Sequence, residues 1–336
     1  IRGAIRCNPG VTIIEISDYD IASIGRWPWD RKWHAAVTRA LTAMGAKAIY
    51  FDIVFAEPSD EAGDALFAGA IKASGRVYLP FAFQPPSIDI EDALIPIEPL
   101  SRDVLGMGAI NIFPDSDGKL RRMPLTFLAK NQLYTHAALK IAADNLGLDF
   151  NKVTPDGVIL SRGAKTLTIP VSRRDQIIVN WTGLWEKTFK HYSFLDVIAA
   201  YQDTLDGKEP RIDAAGIKDS ICLIGMTAIG LYDIKPVPIQ PEYPGIGIFA
   251  NVISNILDNN FIKEANPLIN LAVLYIMALL PSVMIRGKRP LGEALFVLVS
   301  AVIFFAVNIA AKHDNHWITT ASCRYIDKTT DFLSLC

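Results

Sequence analysis

The chain has 336 residues, 51% hydrophobic and 20% charged, with a net charge of −2. That length accommodates two ordinary domains or one large one, and the near-neutral charge with no basic stripe excludes a nucleic-acid partner. A mean hydropathy of +0.26 is high for a soluble protein, and the excess lies in residues 267–311.

The chain begins at Ile1 without a secretory leader pattern, so an internal piece of a longer protein is expected. "VTIIEIS" (11–17) is an apolar, β-branched run that predicts a buried strand. "GRWPWDR" (25–31) follows, with Trp27 and Trp29 flanking Pro28 among Arg26, Asp30 and Arg31. Two readings stand side by side. Pro28 suits a rigid lead into a helix, with the tryptophans packed and the Arg26 and Arg31 heads turned to acids or water. Alternatively the loop touches a ligand directly.

"KWHAAVTRALTAMGAKA" carries apolar residues at helical spacing and stops at Gly45. "AIYFDIVF" (48–55) predicts a second buried strand, so the first two strands and their helix form a βαβ unit with parallel pairing. A helix over 64–75 and a strand over 76–83 extend this parallel core. "GAINIFPDSDGKLRRMPLTF" (108–127) predicts a hairpin turning at "DSDG". A helix in "THAALKIAADNLG" and short strands around "VIL", "LTI" and "IIVNW" follow, then a buried strand at 220–225 and a helix at 243–259. The predicted fold is α/β: a parallel-core sheet with flanking helices and a β-rich insertion, followed by transmembrane helices.

Residues 267–285 carry no charge and residues 291–311 carry only Glu293. The bilayer core takes roughly twenty apolar residues per helix, so both segments are predicted spans. Arg286, Lys288 and Arg289 crowd the turn between them, which places that turn in the cytoplasm and residues 1–264 outside. Residues 312–336 form an irregular tail, expected to be truncated or frameshifted.

Chemistry is sparse. Parallel sheets hold ligands beyond the carboxyl ends of their strands, where Asp18, Asp20, Asp52, Glu57 and Asp233 fall. These acids either build a pocket for a cation or an amine, or cap helices and pair internally. "LIGMTAIG" (223–230) fits neither dinucleotide nor Walker patterns, and "PDSDGKLRR" lacks the bidentate glutamate of a calcium loop. It reads as a turn with Arg121 or Arg122 reaching an acid. Cys7, Cys222, Cys323 and Cys336 form no redox or metal motif, and Cys222 in "ICLIG" is expected to be an inert core thiol. His136 and His191 are expected on surfaces or helices. No metalloprotease or nucleophile-elbow motif exists, so no catalytic residue, metal or cofactor is expected.

The series "EISDYDIASIGRWPWDR", "GAKAIYFDIVFAEP", "GAINIFPDSDGKLRRMPL" and "LIGMTAIGLYDIKPVPIQPEYPGIGIFANVISNIL" resembles the second class of CHASE domains, sensory extracellular domains of bacterial receptors. The resemblance covers about residues 9–262 and implies a domain outside the membrane. Closely spaced helices would then lead to a cyclase, diguanylate cyclase or kinase output. The helix expected before residue 1 and the output beyond residue 317 are absent from the pattern, so any output enzyme lies outside this chain.

The expected protein is therefore a multi-pass inner-membrane receptor input, homodimeric, sensing a small-molecule or protein cue. The candidate ligand-binding set is Asp18, Arg26, Trp27, Arg31, Asp52 and Asp233. The alternative is a ligand-free periplasmic scaffold that dimerises or docks a partner, with Trp27 and Trp29 as exposed anchors. An extracytoplasmic hydrolase is the third reading.

Overall fold

The computed structural model describes residues 5–172, 175–230, 234–264, 275 and 316–317. Two units divide the chain. One, residues 3–261, holds the architecture that follows; in the other, Lys263–Glu264 lies parallel to His316–Trp317.

β1 (Val11–Ile16) is buried on both faces, with Val11 and Ile13 packing on one core and Ile14 and Ile16 on the other. Such two-sided burial is what a β-branched run without alternation predicts. After α1 (Asp18–Ile24), α2 (Arg31–Ala43) starts on Asp30, whose carboxylate accepts from the Lys32 backbone N–H at 2.8 Å. It stops before Gly45, whose φ of 85° suits glycine. β2 (Ala48–Phe51), α3 (Glu61–Ser74), β3 (Val77–Phe81), the short α4 (Glu98–Ser101) and β4 (Gly106–Ala109) complete the first half. The strand predicted over 48–55 ends at Phe51, because Phe55 turns into an aromatic cluster beside α2 instead of continuing the ladder.

The predicted 108–127 hairpin does not form. β4 pairs parallel with β3, while β5 (Arg122–Pro124) pairs antiparallel with β11 (Gln176–Ile178). A Cβ on Gly108 would stand 2.5 Å from Ala137 Cα, so β4 is pressed against the helix that follows and cannot fold back on β5. "DSDG" does turn: Gly118 N donates to Asp115 O at 2.8 Å, and Arg121 pairs with Asp115 and Asp117 at 3.0 and 2.7 Å. Within the insertion, β6 (Thr126–Ala129) and β7 (Gln132–Thr135) make a hairpin through Lys130 and Asn131, both at positive φ. α5 (Ala137–Leu146) leads to the antiparallel meander of β8 (Asp149–Thr154), β9 (Gly157–Arg162) and β10 (Lys165–Ile169). The predicted β-rich insertion is thus present.

The chain then returns through β12 (Lys190–Ser193), α6 (Phe194–Leu205), β13 (Ile221–Met226), the ribbon of β14 (Ile234–Val237) and β15 (Gln240–Pro244), and α7 (Gly245–Leu257). The main sheet has the order β12-β1-β13-β2-β3-β4 and is parallel throughout. β1 and β2 are therefore parallel but not paired, against the expectation from their spacing. β13, apolar on both faces, takes the centre between them. Cys222 on this strand is fully buried, and burial pushes its thiol up to about 12.

Among the described residues no helix is long and apolar enough to cross a membrane. The expected spans, 267–285 and 291–311, lie outside the described residues apart from Tyr275, as does nearly all of the 312–336 tail.

α7 is buried from Gly245 to Ile256 and packs on β1 and β13. Gly225 makes that approach possible, since a Cβ there would stand 2.6 Å from Ile246 Cβ. Gly225→Ala should lower stability by about 1–3 kcal/mol, read as a lower urea midpoint at unchanged slope.

Candidate functional site

Three adjacent strands, β1, β13 and β2, end side by side. Asp18 and Asp52 stand just beyond the outer two. Exposed Asp18 accepts the Ile229 backbone N–H at 3.0 Å, which joins the start of α1 to the loop after β13. Half-buried Asp52 accepts the Tyr50 hydroxyl at 3.3 Å, and burial, with the charge of Asp52 added, pushes the Tyr50 phenol well up. Asp233 lies outside the described residues.

Asp20 is fully buried and saturated. One oxygen accepts from Ser17 N at 2.8 Å and Ser17 Oγ at 2.6 Å, the other from Ser193 Oγ at 2.7 Å and Leu195 N at 2.8 Å. It holds the start of α1 against the start of α6, and that is a structural clasp.

The GRWPWDR segment packs inwards. Trp29 is 5% exposed and donates its indole N–H to Gly25 O at 2.8 Å. Half-buried Trp27 meets it edge-on at 5.2 Å, and the Trp27–Pro28 bond is cis. The pair therefore does not form the exposed anchor that the scaffold reading requires. Arg31 lies 4.6 Å over the Phe55 ring, pairs with Asp64 at 3.2 Å and donates to Glu57 O at 3.0 Å. Exposed Arg26 makes no hydrogen bond or ion pair among the described residues. No such contact joins Asp18, Arg26, Trp27 and Arg31 to one another.

Beneath this segment His34 is fully buried among Phe55, Phe67 and Trp27, at centroid distances of 5.1, 5.6 and 5.8 Å. Neither ring nitrogen has a partner. Burial, reinforced by the positive charge of Arg31, pushes its pKa down to about 3. His136, expected on a surface or a helix, stands at the start of α5 but is fully buried; it caps that helix by accepting the Ala138 N–H at 3.1 Å, and burial pushes its pKa down to about 3.

Sequence reasoning missed a second network. His191 on β12 meets Glu15 on β1 at 2.5 Å, and Thr227 after β13 donates to the other Glu15 oxygen at 2.9 Å. His191 Nε2 lies 3.0 Å from Thr188 O, and its ring stands edge-on to Trp185 at 4.6 Å. Burial alone would raise the Glu15 carboxyl, but hydrogen bonds from His191 and Thr227, with the His191 charge, bring it below its ordinary value. The available signal was a lone glutamate inside an otherwise apolar strand. Its partners, 176 and 212 residues away, had none.

The fold is a parallel α/β domain with helices on both faces of its sheet and a β insertion. A family model described as CHASE2 domain matches residues 1–285, so the chain belongs to the CHASE2 family. CHASE2 is an extracytoplasmic sensory domain of membrane signalling receptors. No curated protein and no solved structure matches the chain.

Asp20→Ala should cost about 3 kcal/mol, because it strips one acceptor from several buried donors, whereas exposed Asp18→Ala should cost less than about 1 kcal/mol; chemical denaturation of both variants tests the contrast. The unfolded chain protonates His34 near 6.5 and the folded one only near 3. Stability should therefore fall as the pH drops below 6.5 and stop falling from this cause near 3. His34→Phe should flatten that slope in urea midpoints measured across the interval.

Proposed function

We propose that this chain is the input half of a bacterial transmembrane receptor, with the cue read at the carboxyl edge of the sheet and α7 passing the response towards the membrane. The observation that carries the reading is that the start and end of the sensory unit are pinned together, at the edge opposite the loops bearing Asp18 and Asp52. Asn8 N donates to Ser254 Oγ at 2.9 Å, and Asn8 Nδ2 donates to Asp258 Oδ1 at 2.5 Å. A domain tethered at one edge leaves the other free for a ligand.

α7 suits an output element because buried amides hold its register. Asn251 Oδ1 accepts both Thr182 N and Oγ1, at 2.9 and 2.8 Å. One turn later Asn255 exchanges two hydrogen bonds with the Asn180 backbone, each at 2.9 Å. A helix clamped this way moves as a unit, since a partial slide would orphan buried polar groups. The output beyond the membrane is a cyclase, diguanylate cyclase or kinase. A cue acts by binding two arrangements of α7 with different affinity.

Topology reporters in the full-length receptor test the reading. Alkaline phosphatase inserted after residue 264 should be active, and green fluorescent protein inserted in the 286–289 turn should fluoresce. The reverse pattern would place the domain in the cytoplasm and overturn it.

A further inference from the structure

A cavity of ≈ 140 Å³ opens just past the carboxyl ends of β3 and β4, walled by Phe83, Phe113, Phe127, Pro85 and Pro86, with Asn111 and Ser87 as its polar lining. It lies on the carboxyl side of the sheet, the side on which parallel sheets bind ligands. Phe83 and Phe127 are buried in an aromatic cluster separate from the two main cores. Phe113 and Ile88, also on the cavity wall, stay 38% and 43% exposed, so the wall remains apolar up to its mouth. Asn111 is fixed by the backbone of Phe83, accepting its N–H and donating to its carbonyl, both at 2.8 Å. That leaves the amide one N–H and one lone pair for a guest.

Size and charge narrow the guest. An apolar cavity of about 150 Å³ holds benzene, so this one takes a single six-membered ring. Aromatic walls favour a flat partner. The loop that lines the cavity with Ser87 and Ile88 continues through Asp89, Glu91 and Asp92, and among the described residues Lys130 is the cation paired there, at 3.2 Å from Asp89 and 2.7 Å from Glu91. That balance disfavours a carboxylate.

The cavity also has a path to α7. Phe127 stacks on His136 at 6.3 Å, and His136 meets Phe249 of α7 at 5.0 Å. His136 is fully buried with an unpartnered Nε2, so nothing but packing holds that ring between the two phenylalanines on this side.

We propose that the cavity binds a single neutral ring bearing a hydroxyl or carbonyl, a phenol-class ligand held by Asn111, and that its occupancy reaches α7 through Phe127, His136 and Phe249. The relay rests on the reading of the domain as a sensory input; the binding site does not.

Fluorine NMR of 4-fluorophenol with the full chain tests the site. Saturable binding is expected, with phenol competing and 4-fluorobenzoate failing to bind. Ile88→Trp, which fills the mouth from an exposed position, should weaken binding by about tenfold or more, and Phe113→Ala should weaken it independently. Absence of saturable binding, equal binding of the benzoate, or unchanged affinity in both variants overturns the site. Hydrogen exchange then reads the relay: slower exchange of α7 amides with phenol bound is expected. Binding with unchanged α7 exchange overturns the relay, while the topology reporters judge the receptor reading separately.

Discussion

The insertion of β13 between β1 and β2 is the contact on which the rest of the domain depends. It makes six parallel strands continuous, and it creates the two apolar faces that the helices cover. Each fully buried aliphatic side chain there contributes about 1.5–3 kcal/mol relative to exposure. The same strand sets the position of the last helix, because Gly225 presents bare backbone to Ile246. It also ends beside Asp18 and Asp52, so the last helix and the carboxyl edge of the sheet are both placed by one element.

The polar groups of that edge are mostly spent on holding it together. Asp20 joins the starts of α1 and α6, Arg31 is committed to Asp64 and the Phe55 ring, and Glu15 draws β12 and the loop after β13 onto β1. An edge stiffened by internal partners supports a pocket without supplying its contacts. The place with unspent capacity is the apolar cavity past β3 and β4, where an amide anchored by the backbone faces aromatic walls.

On the proposed function, α7 is the element that couples a cue to the membrane. It suits that role because its apolar face is wholly enclosed while its asparagines fix its height against the Asn180–Thr182 segment. Apolar packing alone tolerates small slides, whereas paired buried amides do not. Under the proposed function such a helix would take discrete rather than graded positions, the property a switch needs.

Local chemistry made much of this legible in sequence. Unbroken β-branched runs specified buried parallel strands, glycine and aspartate marked helix stops and turns, and the motif series around GRWPWDR identified the family. The pairing of Arg121 with its acids was legible because Asp115 and Asp117 lie four to six residues away, whereas the Asp64 partner of Arg31 lies 33 residues on. What tertiary structure alone decided came from distant segments. That β13 splits β1 from β2, that β4 leaves its expected hairpin, that His34 and His136 are buried, and that Glu15 meets His191 all depend on pairings across tens to hundreds of residues. A side chain's type and spacing bound its local conformation, but its partner is set by which strands the sheet places side by side, and no local pattern encodes that order.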